Sequence, residues 1–346
     1  MSLFSLSSDI TIGSFHFSGV HDVVIRKSIH SYADTAIIRI PTICRVKSAN
    51  SISDYQTTAH LINDRDPVVI NLGYNGQMQE EFRGFVKRRS LTLPLEVECE
   101  GYVQPLRLDI DVTGTYDDIQ ASDLLNLLTA NLSGNSTGIS IQVANDIHIT
   151  QAILDHNNGV QICDFIRRCS EGALNLFFIN PTTLWCGYTY TPYNQNTDPF
   201  GLGQISYRLG YNCPAENSLK ARIPYELVQI VFRNILPTGV TQQVLSNAGL
   251  TSRRRKAVAI SNRIGSIADM QSIANEKEFK MNYSGYTGSI DAFLQPYCAP
   301  GWQANITDDQ FPERNGIYLV ESTEVTFGIH GARRKVELGP KMGFTN

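Results

Sequence analysis

The sequence predicts a mainly β chain with an α+β insert, organised as two similar antiparallel β-barrel modules in tandem. Three observations carry this. The stretch from Pro67 to Gly101 alternates apolar and polar residues with a period of two. A second stretch, from Pro300 to Gly339, follows the same plan. Between them the spacing becomes helical around 123–128 and 160–171. A period of two marks a strand with one buried face, and a period near 3.6 marks an amphipathic helix.

The first module is taken as residues 1–103. Three strands are expected from TIGSFHF (11–17), HDVVIRKSI (21–29) and TAIIRIP (35–41). The segment 48–63 is expected to hold a short helix or a covering loop. Then comes a meander. Val68, Ile70, Leu72 and Tyr74 share one face, with Asn71, Gly73 and Asn75 on the other. Asn75-Gly76 opens a turn, because both residues tolerate positive φ. A strand follows over about Phe82–Arg89, and in a third Leu95, Val97 and Cys99 oppose Glu96, Glu98 and Glu100. Six such strands are enough to close into a small barrel or a tight sandwich.

Residues 104–203 read as an α+β domain. Asp123–Leu128 has helical spacing, with Ser122 or Asp118 as its cap. GISIQVAN gives a strand. Val160, Ile162, Cys163, Phe165, Ile166 and Cys169 give an amphipathic helix ending near Gly172. ALNLFFI and TLWCGYTY, split by Asn180-Pro181, give a hairpin.

The second module is taken as 204–236 and 288–346, interrupted by a loop-helix insertion at 237–287. ISYRLGYN, SLKARIP and ELVQIVFRNI echo the three opening strands of the first module. Trp302, Ala304 and Ile306 then alternate with Gln303, Asn305 and Thr307. NGIYLVESTEVTF and RRKVELG close the module, the latter with Val336 and Leu338 opposed by Lys335 and Glu337.

At 346 residues the chain is long enough for two to four domains. Charged residues make up 18%, below the usual quarter, and Asn, Ser, Thr, Gln and Gly take their place. That mix suits turn-rich β structure. A net charge of −4 gives no basis for strong duplex binding. The clusters Lys87-Arg88-Arg89, Arg253-Arg254-Arg255-Lys256 and Arg333-Arg334-Lys335 read as solvated edges or loops. No signal-peptide pattern opens the sequence and no apolar run reaches the ~20 residues of a membrane span, so folding in a cytoplasm and no membrane insertion are expected. The odd count of seven cysteines, set in apolar runs, predicts reduced, buried thiols. The sequons at Asn131, Asn135, Asn282 and Asn305 then have no bearing.

No catalytic constellation stands out: there is no Gly-x-Ser-x-Gly elbow, no phosphate-binding glycine loop and no His-Glu-x-x-His. His148 and His156, with Asp146 and Asp155 nearby, are the conceivable metal ligands, and the competing reading is surface histidines near turns. Glu96, Glu98 and Glu100 share a strand face that needs no chemistry, and Asp308-Asp309 sit where a turn is expected. The expectation is therefore a non-enzymatic protein with no catalytic, cofactor or metal residues.

The order of strand module, α+β insert and second strand module resembles the baseplate hub proteins of contractile phage tails. The likeness is to the late control protein D family, which is similar to the Mu-type and T4-type hubs and to the N-terminal part of type VI secretion spike proteins. It rests on DPVVINLGYNGQMQEEFRGFVKR (66–88), on LEVECEGY (95–102), and on the C-terminal block. In that block Pro300-Gly301, Gly316-Ile317-Tyr318-Leu319-Val320 and Arg333-Arg334-Lys335-Val336-Glu337-Leu338-Gly339 match the family's later strands. Nearly the whole chain is covered, by motifs that are structural rather than catalytic.

The resemblance implies a homotrimer that joins a hexameric tail tube to a trimeric central spike. Three copies of a chain with two similar modules present six modules in a ring, around a channel through which DNA only passes. Other baseplate proteins are implied partners, and the implied location is the tail baseplate of a virion assembled in a bacterial cytoplasm. Spike proteins of type VI systems continue into further domains, and the end of this sequence after the second module leads to the expectation of a separate hub. The alternatives are a glycan- or receptor-binding tail protein and a tail-associated cell-wall hydrolase. Trp185 and Trp302 at apolar strand positions disfavour the first, and the lack of a spare catalytic segment disfavours the second.

Overall fold

The computed structural model describes residues 5–17, 19–47, 52–108, 110–131, 138–190, 198, 200–235, 238–246 and 254–343. The fold is mainly β with an α+β part, as the sequence predicts. In chain order the first lobe holds β1 (Leu6–Ile12), β2 (Phe15–Phe17), β3 (Asp22–Ser28), β4 (Thr35–Ile40), β5 (Ile43–Lys47), β6 (Ile52–Thr57), β7 (Pro67–Tyr74), β8 (Gln77–Ser90) and β9 (Leu95–Glu100). Two details differ from expectation. TIGSFHF is a strand end, a turn and a short return strand, because Gly13 supplies the positive φ of +59° that the turn needs. Where a short helix or covering loop was expected, Ile52–Thr57 pairs as a strand with Ile43–Lys47 and is followed by a single 3₁₀ turn at Thr58–His60.

Next come α1 (Val103–Leu108), β10 (Val112–Gln120), α2 (Ala121–Asn131), β11 (Ser140–Val143), β12 (His148–Asn157), α3 (Gly159–Cys169), β13 (Leu174–Asn180) and β14 (Thr183–Tyr188). The first turn of α2 is met neither by Ser122 nor by Asp118. Asp146 Oδ1 accepts the Ser122 amide at 3.0 Å from across the fold. At α3, Asn158 and Gln161 form a reciprocal capping box.

The remainder is β15 (Gln204–Arg208), β16 (Ala215–Arg222), β17 (Leu227–Ile235), β18 (Thr241–Leu245), β19 (Arg254–Ser261), α4 (Ile267–Asn282), β20 (Gly285–Ala292), β21 (Gln303–Thr307), β22 (Gly316–Gly328) and β23 (Gly331–Gly343). The sequence reading placed ELVQIVFRNI in the second module. Instead β17 is the centre of its own sheet, between β18 and a parallel β19. Its Ile230 and Phe232 enter one core with α2, α3 and α4. The α+β body is thus built from two stretches of chain. β20, a Gly- and Ser-containing strand, takes the place expected for β17 in the second lobe by pairing with β16 and β23.

The repeat is visible in the pairing itself. The first lobe runs β3-β4-β9-β8-β7-β1, and the second runs β16-β20-β23-β22-β21-β15. All these neighbours are antiparallel except β15 and β21, which are parallel. Barrel closure is not seen in the ladders among the described residues. Both lobes belong to one continuous 13-stranded sheet. The reason is the length of β22. Its first residues pair with β21, while Ser322–Gly328 continue past the second lobe and pair with Ser28–Asp22 of β3. Each lobe keeps its own apolar core, yet Val325, Phe327 and Ala332 from the β22–β23 hairpin pack in the first.

Candidate functional site

The side chains that the sequence offered for chemistry are dispersed. His148 Nδ1 stands 3.5 Å from Asp269, and His156 Nδ1 stands 3.0 Å from Asp111, which hydrogen-bonds the imidazole and raises its pKa. Asp146 is committed to the backbone at α2. Among the described residues no group of three or more His, Cys, Asp or Glu is placed to hold a metal ion.

Glu96, Glu98 and Glu100 do share one face of the sheet, and each meets a cation: Arg39 at 2.8 Å, Arg88 at 2.6 Å and Arg107 at 2.9 Å. These are cross-strand and strand-to-helix ion pairs, not an acid–base couple. Asp308 forms a turn, accepting the Gln310 and Phe311 amides and a 3.1 Å contact from Arg314. All seven cysteines are free. Burial pushes the Cys163 and Cys213 thiols up to about 12 and Cys298 up to about 11, which disfavours reactive thiolates.

What the fold does build is a joint between the lobes. Above the β3–β22 seam lies a cavity of about 660 Å³. Its walls carry Arg26, Lys27, Glu324, Lys335 and Glu337 among serines and threonines. Arg26 Nε meets Glu324 Oε2 at 2.5 Å across the seam, and Ser322 donates to Glu337 at 2.5 Å. In the turn between β3 and β4 Asp34 is half-buried beside Lys27. Its carboxyl is pushed up to about 6 by burial, partly offset by Lys27.

Deeper still, Arg334 of β23 reaches Glu81 of β8 and also donates to the carbonyls of Cys298 (2.8 Å) and Leu294 (3.0 Å). Sequence reasoning missed this pair by reading Arg333-Arg334-Lys335 as a solvated edge. The signal was present in the alternation: Ala332, Arg334, Val336 and Leu338 are successive buried positions in the first part of β23. Glu81 carried no such signal. Asn71 pairs with Glu80 and Ile70 with Phe82, so Glu81 is the extra residue of a β-bulge that turns it inward. Lys87 and Arg88 are exposed as expected, but Arg89 donates to the carbonyls of Ala59 and Ile62 and fastens the loop there. Arg253 lies outside the described residues, as does Asn135.

The joint links the two lobes through a shared ladder, ion pairs and hydrogen bonds. No protein-family model matches the chain, and no curated protein matches it in sequence. Solved structures match it along its length. The 43 kDa tail protein of prophage MuSo2 from Shewanella oneidensis superposes with a TM-score of 0.61 at 11% identity, covering 97% of this chain and 98% of that one. A tail protein from Neisseria meningitidis MC58 gives 0.62 at 12% identity, covering 96% of each chain. The Escherichia coli c3393 protein, a component of the type VI secretion system, gives 0.57 at 9% identity, over 97% of this chain and 79% of that one. At such identities the likeness is one of fold, and the fold is that of phage tail proteins and a type VI secretion component.

Proposed function

We propose that the protein is a structural, non-enzymatic hub of a contractile tail baseplate. In this reading three copies form a ring that joins a hexameric tail tube to a trimeric spike and leaves a channel for the genome. The observation that carries the proposal is the doubled pairing order, β3-β4-β9-β8-β7-β1 and β16-β20-β23-β22-β21-β15. A six-fold tube and a three-fold spike are mismatched in symmetry, and a trimer whose chains each present the same lobe twice offers six near-equivalent positions to one partner and three to the other.

The fold-level likeness to tail proteins supports the same reading. So does the joint: an adaptor has to hold its two lobes at a fixed angle, and the β3–β22 ladder with the buried Arg334–Glu81 pair does that. The sheet path ends at β16 on one side and β2 on the other. Open edges of this kind invite pairing with another chain, and neighbouring copies in a ring would cover them.

The test is to mix the purified protein with the tube and spike proteins of the same tail and follow sedimentation. Co-sedimentation with both, at one trimer per spike trimer and per tube hexamer, is the expected result. Binding to neither would overturn the proposal.

A further inference from the structure

A second cavity, of about 640 Å³, opens where the α+β body meets the second lobe. Its walls bring together side chains from six parts of the chain. Arg167 comes from the last turn of α3, Arg222 from the end of β16 and Lys280 from the last turn of α4. His30 comes from the β3–β4 loop, Tyr190 from just beyond β14, and Glu321 from β22.

The polar contacts leave the cations without a carboxylate partner. Glu321 is occupied by Tyr190, whose hydroxyl donates at 2.8 Å, and by His30 Nε2 at 3.4 Å. Arg167 donates only to the His30 carbonyl, at 3.3 Å. Arg222 donates to the carbonyls of Lys280 and Met281, and its guanidinium carbon stands 3.8 Å from the centroid of the Tyr283 ring. Lys280 stands 5.4 Å above the Tyr190 ring. Among the described residues none of the three cations is within 4.0 Å of a carboxylate. Helix C-termini favour cations, which accounts for Arg167 and Lys280 being basic. It does not account for their facing Arg222 across one cavity.

We propose that this cavity is a binding site for an acidic peptide segment, its Asp or Glu carboxylates taken by Arg167, Arg222 and Lys280. Planar guanidinium groups with free N–H edges match carboxylates in a forked geometry. The aromatic rings behind Arg222 and Lys280 fix the cations in place while leaving their outer faces open. The cluster is compact rather than drawn out along a track, which favours a short carboxylate-bearing segment over a nucleic-acid strand, whose phosphates need a continuing path of cations. The overall charge of −4 makes this basic cavity a local exception. The inference does not depend on the ring: its chemistry is that of the cavity alone.

The test uses the full chain and fluorescein-labelled hexaglutamate, with hexathymidylate as the competing probe, followed by fluorescence anisotropy at about 50 mM salt, where surface charges are weakly screened. Saturable hexaglutamate binding is expected. Arg167→Gln with Lys280→Gln should weaken it by about tenfold or more, the scale of losing charge-assisted hydrogen bonds. Glu321→Gln keeps an acceptor for Tyr190 but removes the opposing charge, so it should tighten binding, which a merely unfolded variant would not do. Absence of saturable binding, or binding indifferent to all three substitutions, would overturn the proposal. Tighter binding of hexathymidylate with the same dependence on the variants would overturn the assignment to acidic peptide.

Discussion

Arg334 and Glu81 meet across the two lobes through contacts of 2.6 and 3.1 Å, with 1% and 2% of their side chains exposed. One comes from β23 and the other from the bulge in β8. Charges so deeply buried are tolerable because each satisfies the other and the carbonyls of Cys298 and Leu294 accept from the two Nη groups, which leaves the buried Nε–H as the one group of Arg334 without a partner among the described residues. The pair is therefore a condition on how the lobes dock rather than a free source of stability.

Removing one partner should expose that condition. Glu81→Ala or Arg334→Ala leaves an uncompensated buried charge and should cost about 3–5 kcal/mol of stability, whereas an apolar pair such as Glu81→Leu with Arg334→Met should recover most of the loss. Urea unfolding of the single and double variants measures this directly. Additive losses in the double variant would contradict the account.

Asp34 gives a pH dependence of defined sign. Burial raises its folded pKa to about 6, above the usual carboxyl value near ~3.9. The folded state then binds this proton more tightly than the unfolded state does. Its contribution to stability is full at low pH and is lost as pH rises through the window from about 4 to about 6. Asp34→Asn should remove that slope from the pH profile of unfolding free energy, and an unchanged profile would count against the burial argument.

Gly84 sits where β8 passes between β7 and β9. A Cβ there would come within 2.3 Å of the Glu100 carbonyl oxygen, which is backbone and has no rotamer to change. Gly84→Ala should therefore destabilise by about 1–3 kcal/mol, the range of overpacking, despite the better strand propensity of alanine. Thermal unfolding beside a Gly76→Ala control would separate this steric cost from the turn strain expected at Gly76, whose φ is +81°.

The capping box at α3 makes a smaller prediction. Asn158 accepts the Gln161 amide at 3.0 Å while the Gln161 side chain accepts the Asn158 amide at 2.9 Å. Asn158→Ala should cost about 1 kcal/mol and Asn158→Ser much less.

How much of this was written in the sequence depends on whether a residue's environment is local. The strands β7, β9 and β21 were legible because apolar residues alternate strictly onto one buried face, so Val68, Ile70 and Leu72 or Leu95, Val97 and Cys99 announce themselves. β17 was misplaced because a central strand covered by helices reads as a nearly continuous apolar run, and Leu227–Phe232 fits either environment. β20 was overlooked because Gly285, Gly288 and Ser289 weaken its alternation. The β5–β6 hairpin leaves Ile43, Ile52 and Tyr55 exposed, against the inward rule on which periodicity arguments depend. The joint was the least legible part. Arg334 could be found from its register in β23, whereas Glu81 turns inward through a bulge that only the pairing with Ile70 and Asn71 reveals.

The central claim, a ring that doubles its lobes, is tested most directly by the native mass from multi-angle light scattering, with negative-stain images of the same peak. The account predicts particles of three times the 38.5 kDa chain mass, annular, with six similar lobes. A monomer that stays monomeric in the presence of the spike protein of its own tail would contradict it.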